Sequence, residues 1–273
     1  MKTFKYLKCH PNHTSTESCI DHKSLIKMKN IWNKRHPDKK INSVNIENKL
    51  RNYLSICKDQ SCLIDHTLGK NKLKSIIFAP YSPVSWNSDK SMWLDSLDIM
   101  KVMKQYEDTY PNFKFIGPSP IDFDTTRGLR CVWPELCNIS MSDELKNGKT
   151  VIGIIFNTDP HYKVGSHWIC MFIDLKTKYI FNFDSSGYKI PPEINSFIDK
   201  IDKQCINENL VMTRYNNVNV KHQYAQGECG MYCLYTIVKL LENKLDPNSF
   251  IKSKIKDSTI IKYRTIFFNP TYK

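Results

Sequence analysis

A chain of 273 residues with 41% hydrophobic and 12% aromatic side chains can bury a sizeable core, which excludes a disordered tail and allows one large domain or a core with a small companion. No run of about 18 apolar residues occurs, and the opening MKTFKYLKCHPNHTST lacks an apolar centre, so neither a transmembrane helix nor a secretory signal is expected. The net charge of +13 attracts polyanions without sequence preference, yet Lys far outnumbers Arg and no recognisable nucleic-acid module accompanies it, so nucleotide bias toward AT is the favoured account of the charge over a dedicated nucleic-acid site.

Residues 1 to about 75 are Lys- and Asn-rich, with helical patterns over 22–34 and 44–56 and a CKDQSC loop after them; they read as a small helical N-terminal region. Pro and Ser density around 76–90 marks a connection into a main domain spanning 76–273. An amphipathic helix is expected over 91–111, with Leu97, Met100, Val102, Met103 and Tyr106 on its apolar face and Pro111 ending it. TVIGIIFN (150–157) is a continuous apolar run, suited to a strand buried on both faces. Strands follow over 166–175, 178–186 and 209–217, with helices over 191–205 and 229–244. Helices on a mixed central sheet make an α+β domain. Ten cysteines without a signal segment read as reduced thiols. Cys9, Cys19, Cys57 and Cys62, with nearby histidines, lack the tight CxxC spacing of a structural zinc site, so no metal or other cofactor is expected.

The stretch QGECGMYC (226–233) holds two cysteines that fit a metal half-site, a redox pair, helix core or a catalytic thiol. If DLKT (174–177) is the loop of a hairpin, Ile173 faces Lys178 and His167 lies directly opposite Asp184. Their Cβ atoms are then about 4.5 to 5.5 Å apart, close enough for a carboxylate to fix the imidazole tautomer. Cys229 opens a long helix, whose N-terminus favours a thiolate. A Cys, a His and an Asp on separate elements are the nucleophile, base and orienter of a thiol acyl-transfer enzyme. Such chemistry also needs oxyanion donors, and the Cys229 N–H with Gln223 or Gln226 can supply them. Cys233, one turn on, shares a face with Ile237 and Leu240 and reads as packing.

GSHW (165–168), FDSSG (183–187) and QYAQGECG (223–230) resemble the motif set of the ubiquitin-like-protein (SUMO) protease and adenovirus-protease clan of cysteine peptidases. The order His, Asp, Cys matches, as do the 17 positions from His167 to Asp184 and the six from Gln223 to Cys229. WLDSLDI (93–99) resembles the segment that starts the family's catalytic domain. The resemblance implies a papain-like-clan core with His167 as base, Asp184 as its partner, Gln223 as oxyanion donor and Cys229 as nucleophile. It also implies that Trp93 and Trp168 clamp a tunnel admitting only glycines before the scissile bond. The short length, AT-biased composition and extra N-terminal region look most like the clan's large-DNA-virus branch. That branch implies cleavage of a viral structural polyprotein at Gly-Gly-X sites during virion maturation, in host cytoplasm at assembly sites and in the virion, with non-specific nucleic acid as a further partner. A SUMO or ubiquitin-like isopeptidase is the alternative, and a basic binding module without catalysis a further one.

Overall fold

The computed structural model describes residues 4–13, 18–69 and 73–271. Two compact units divide the chain: Met1–Tyr81 with Ile266–Pro270, and Ser82–Thr265 with Thr271–Lys273. In the first unit α1 (His22–Arg35), α2 (Ile46–Tyr53), α3 (Gln60–Leu68) and α4 (Leu73–Ile77) close over Met28, Leu50, Leu63, Ile64 and Phe78. Asp21 and Asp59 cap α1 and α3 by accepting from Ser24 N (2.6 Å) and Cys62 N (3.0 Å). The cap at Asp59 starts a helix inside the stretch expected to be a CKDQSC loop. Asn269 ties the C-terminal stretch into this unit, donating from its side chain to Lys8 O (3.0 Å) and Ala79 O (2.9 Å).

The second unit is the expected mixed sheet flanked by helices. A short 3₁₀ helix, Val84–Asn87, precedes α5 (Ser96–Thr109), and β1 (Phe113–Pro120) follows. Next come a small ribbon of β2 (Thr126–Arg127) and β3 (Arg130–Cys131), then α6 (Pro134–Cys137) and α7 (Met141–Lys146). The sheet continues with β4 (Val151–Asn157), β5 (Trp168–Asp174), β6 (Tyr179–Phe183) and, after α8 (Pro192–Asn207), β7 (Thr213–Asn216). The helices α9 (Cys229–Leu241), α10 (Pro247–Lys252) and α11 (Asp257–Phe267) complete the chain. Strand order is β1-β4-β5-β6-β7, with β1 parallel to β4, β6 parallel to β7 and the two central pairings antiparallel.

Both faces of β4 and β5 are covered, which is why they read as unbroken apolar runs. On one face Ile154, Phe156, Ile169 and Met171 pack with Phe197, Ile198 and Ile201 of α8. On the other lies α9, hydrophobic all round and buried at every residue from Cys229 to Leu241. β1 carries prolines at 118 and 120, which argue against a strand in sequence. It is an edge strand, and its register shifts between Ile116 and Ser119, where a missing N–H breaks no ladder.

Three expectations need correction. α5 starts at Ser96, capped by Asp95, so Ile99 takes the core position while Leu97 and Met100 are exposed. The β5–β6 hairpin pairs Asp174 with Tyr179 and Cys170 with Phe183, so its loop lies one residue later than the DLKT reading and His167 is not directly opposite Asp184. Asp174 stays in the strand because its carboxylate accepts from Lys176 N and Thr177 N, both at 2.9 Å. Finally, six cysteines form disulfides, Cys9–Cys19, Cys57–Cys62 and Cys131–Cys137, where free thiols were expected. The fold brings each pair's Cα atoms within 6.3 Å, inside bonding range. Cys57, Cys62 and His66 gather donor atoms within 4.8 Å of one another, but both sulfurs are committed to that bond.

Candidate active site

Just beyond the paired ends of β5 and β6, His167 Nε2 lies 2.6 Å from Asp184 Oδ1. A carboxylate oxygen only accepts, so Nε2 carries the proton and Nδ1 is left for another group. Asp184 is itself fixed: Oδ1 accepts from Ser186 N (2.8 Å), and Asn217 bridges its backbone by accepting from Asp184 N (2.9 Å) and donating to Asp184 O (2.6 Å). Burial lowers the pKa of the imidazolium, but the hydrogen bonds it donates to Asp184 and Cys229, and their charges, outweigh it. The His167 pKa is pushed up from 6.5 to about 9.

Cys229 is the first residue of α9 and 2% exposed, so only a narrow approach reaches its sulfur. At the first helical position its N–H has no intrahelical acceptor. Burial, then the neighbouring Cys170 and Cys229 thiols, push the Cys233 thiol well up, and Cys233 is packed inside. The structure thus brings His167, Asp184 and Cys229 together from three separate elements.

Gln223 sits at the head of the loop before α9. The Ser185 hydroxyl donates to its Oε1 (2.7 Å), and its Nε2 donates one hydrogen to Ala225 O (2.8 Å), leaving the second. Gln226 is exposed in a turn. The two tryptophans flank the nucleophile. A Cβ on Gly227 would meet Trp93 Cδ1 at 2.8 Å and Ser91 O at 2.1 Å, and one on Gly230 would meet Trp168 Cδ1 at 3.2 Å. Trp168 Nε1 donates to Leu94 O (3.1 Å), joining the two walls. Gly227 also takes a positive φ of 81°.

Sequence reasoning missed the residues that hold this loop, and both come from α11. Arg264 Nε donates to both oxygens of Glu228 (3.1 and 3.0 Å), while its other nitrogens donate to Gly227 O (3.3 Å) and Met92 O (3.1 Å). Its guanidinium lies over Trp86, 4.2 Å from the ring centroid. Burial pushes the Glu228 carboxyl up, against the pull of Arg264. At the other end of the helix, Asp257 accepts from Tyr224 N (3.0 Å), Ala225 N (2.9 Å) and the Tyr232 hydroxyl (2.9 Å). Glu228 was legible as a neighbour of Cys229, but a partner 36 residues away leaves no mark in local spacing.

Comparison with known proteins follows the same lines. A family model described as the Ulp1 protease family, C-terminal catalytic domain, matches residues 99–273. A putative thiol protease of Acanthamoeba polyphaga mimivirus is 29% identical over 215 residues, covering 78% of this chain and 68% of the relative. A cysteine protease of African swine fever virus is 24% identical over 230 residues, covering 78% and 83%. The crystal structure of the African swine fever virus protease superposes with a TM-score of 0.73 at 22% identity, over 98% of each chain, and shares the fold.

Proposed function

Because the chain belongs to the Ulp1 protease family and is a cysteine protease, we propose that it is an endopeptidase cutting after Gly-Gly in a viral structural polyprotein during virion maturation. Cys229, His167, Asp184 and Gln223 carry out the reaction. The observation that carries this reading is the His167 imidazole, set between Asp184 and Cys229 and charged to about pH 9.

Cys229 faces the charged His167 imidazole and reacts as its thiolate. The sulfur attacks the carbonyl carbon, and the resulting oxyanion takes hydrogen bonds from the Cys229 N–H and the spare hydrogen of Gln223 Nε2. His167 Nδ1 gives its proton to the departing amine, the C–N bond breaks and a thioester remains. Water then adds to the thioester carbon as His167 removes its proton. Collapse releases the acid, and the proton held on His167 restores the ion pair. Asp184 holds the imidazole orientation and charge through both halves. Trp93 and Trp168, with the loop they press against, favour residues without side chains before the scissile bond, which supports Gly-Gly.

Incubation with a Gly-Gly-containing peptide tests the reading: the wild type should cleave after the second glycine and Cys229→Ala should not. Equal cleavage by the two proteins would overturn it. Mapping the cuts in co-expressed viral structural polyproteins would then identify the natural sites. Several African swine fever virus counterparts are named SUMO-1 cysteine proteases, which supports a SUMO-like tail as the second reading. Assembly sites in host cytoplasm and the virion are the proposed settings. There the basic charge would add salt-dependent affinity for nucleic acid, and the N-terminal unit would serve substrate or partner binding.

A further inference from the structure

A cleft of about 480 Å³ opens beside the site, walled by Ser96 at the start of α5 and by Trp168. Two of its lining residues carry buried polar atoms with no hydrogen-bond partner among the described residues, Ser119 Oγ and His161 Nε2. Ser119 is 1% exposed. Buried polar atoms are paired in folded proteins because an unmade hydrogen bond is costly, so two orphans lining one cleft mark a place where a ligand's polar group completes the site. His161 is held for that purpose: its Nδ1 lies 2.6 Å from Asp122 Oδ2, and its backbone N donates to Asp122 Oδ1 (2.8 Å). With Nδ1 committed to a carboxylate, Nε2 is the ring atom left for a ligand.

The cleft's remaining chemistry says which group. Arg130 and Lys163 line it, and Arg130 forms no ion pair among the described residues. Among the described residues Lys163 pairs with Asp159, at 3.9 Å. The lining also includes one carboxylate, Asp159, which faces Lys163, so the Ser119 hydroxyl and the Arg130 guanidinium remain as donors. Val132, Trp133 and Pro160 supply apolar wall that suits a short methylene stem below the charged head.

We infer that this cleft is a specificity pocket for an acidic side chain, glutamate best, on the amino side of the glycines in the substrate. The inference rests on the proposed reading, in which the acyl portion of the substrate runs between Trp93 and Trp168; the cleft shares its Trp168 wall with that path.

Fluorescent peptides with Gly-Gly followed by a short carboxy-terminal tail, and with Glu, Gln or Lys scanned through the positions before the glycines, test it in two arms. One arm measures Kd on full-length Cys229→Ala protein, and the other measures kcat/KM with wild type. At one position Glu should exceed Gln about tenfold in both arms, the scale of a charge-assisted contact. Arg130→Glu should invert the preference toward Lys, and His161→Ala should reduce it. Binding without charge preference at any position, or a preference unchanged in Arg130→Glu, overturns the pocket. Gly-Gly cleavage without charge preference overturns the pocket alone. Absence of Gly-Gly cleavage overturns the proposed function, and the binding arm still decides the pocket.

Discussion

Among single residues, Arg264 is the one whose loss should cost most outside the reacting groups. It neutralises Glu228, which is 2% exposed, and holds the carbonyls of Gly227 and Met92. Arg264→Ala strands a buried carboxylate, so stability should fall by about 3 to 5 kcal/mol in chemical denaturation. Arg264→Lys should recover part of the stability but less of kcat, because an ammonium cannot reproduce the forked geometry. His167 makes a pH prediction. Its folded pKa of about 9 lies above the ordinary 6.5, so the charge pair adds stability in full below about pH 6.5 and loses it as pH rises through about 9. A kcat/KM profile should therefore fall on an alkaline limb near pH 9. Asp184→Asn should keep measurable activity, since an amide oxygen still accepts from Nε2, but move that limb toward lower pH. His167→Ala should abolish turnover, and full activity in that variant would rule out the assigned base.

At the scale of elements, the β5–β6 hairpin shows what the sequence carried and where it stopped. Alternation and loop length placed His167 and Asp184 on one face, and the actual register differs by a shift that preserves that face. A one-residue slip would have separated them. The shift was not legible because Asp174 looked like a loop residue, and only its two backbone acceptor contacts keep it in the strand. The helix α9 was legible from its unbroken apolar run, whereas β1 was hidden by its prolines and α11 by the absence of any motif. The loop before α9 supplies the prediction at this scale. Gly227→Ala would drive a methyl into Ser91 O and Trp93 at a positive φ. It should lower kcat/KM on the order of a hundredfold, with far-UV circular dichroism unchanged. Activity close to wild type would show that the Trp93 wall does not depend on this loop.

For the whole molecule, the oxidation state of its ten cysteines is the sharpest test. Six are paired across short loops, while Cys170, Cys205, Cys229 and Cys233 are free and buried. Alkylation of unreduced, denatured protein should label four thiols, and reduction beforehand should label all ten, as read by intact mass. Labelling of all ten without reduction would contradict the pairing. Composition favoured reduced thiols because it reports compartment and not proximity; pairing depends on Cα separations that only the fold sets.

The position of α11 in the chain has a consequence for timing. Cys229 is made before Asp257 and Arg264, and a chain emerges from the ribosome amino end first. Until α11 has formed, Tyr224 N, Ala225 N, Gly227 O and the Glu228 carboxylate all lack the partners they have in the folded protein. A nascent chain would thus carry its nucleophile for some thirty residues of synthesis, on the order of seconds, without the loop that makes it competent. The order of synthesis alone would keep the peptidase silent beside its own and neighbouring nascent chains.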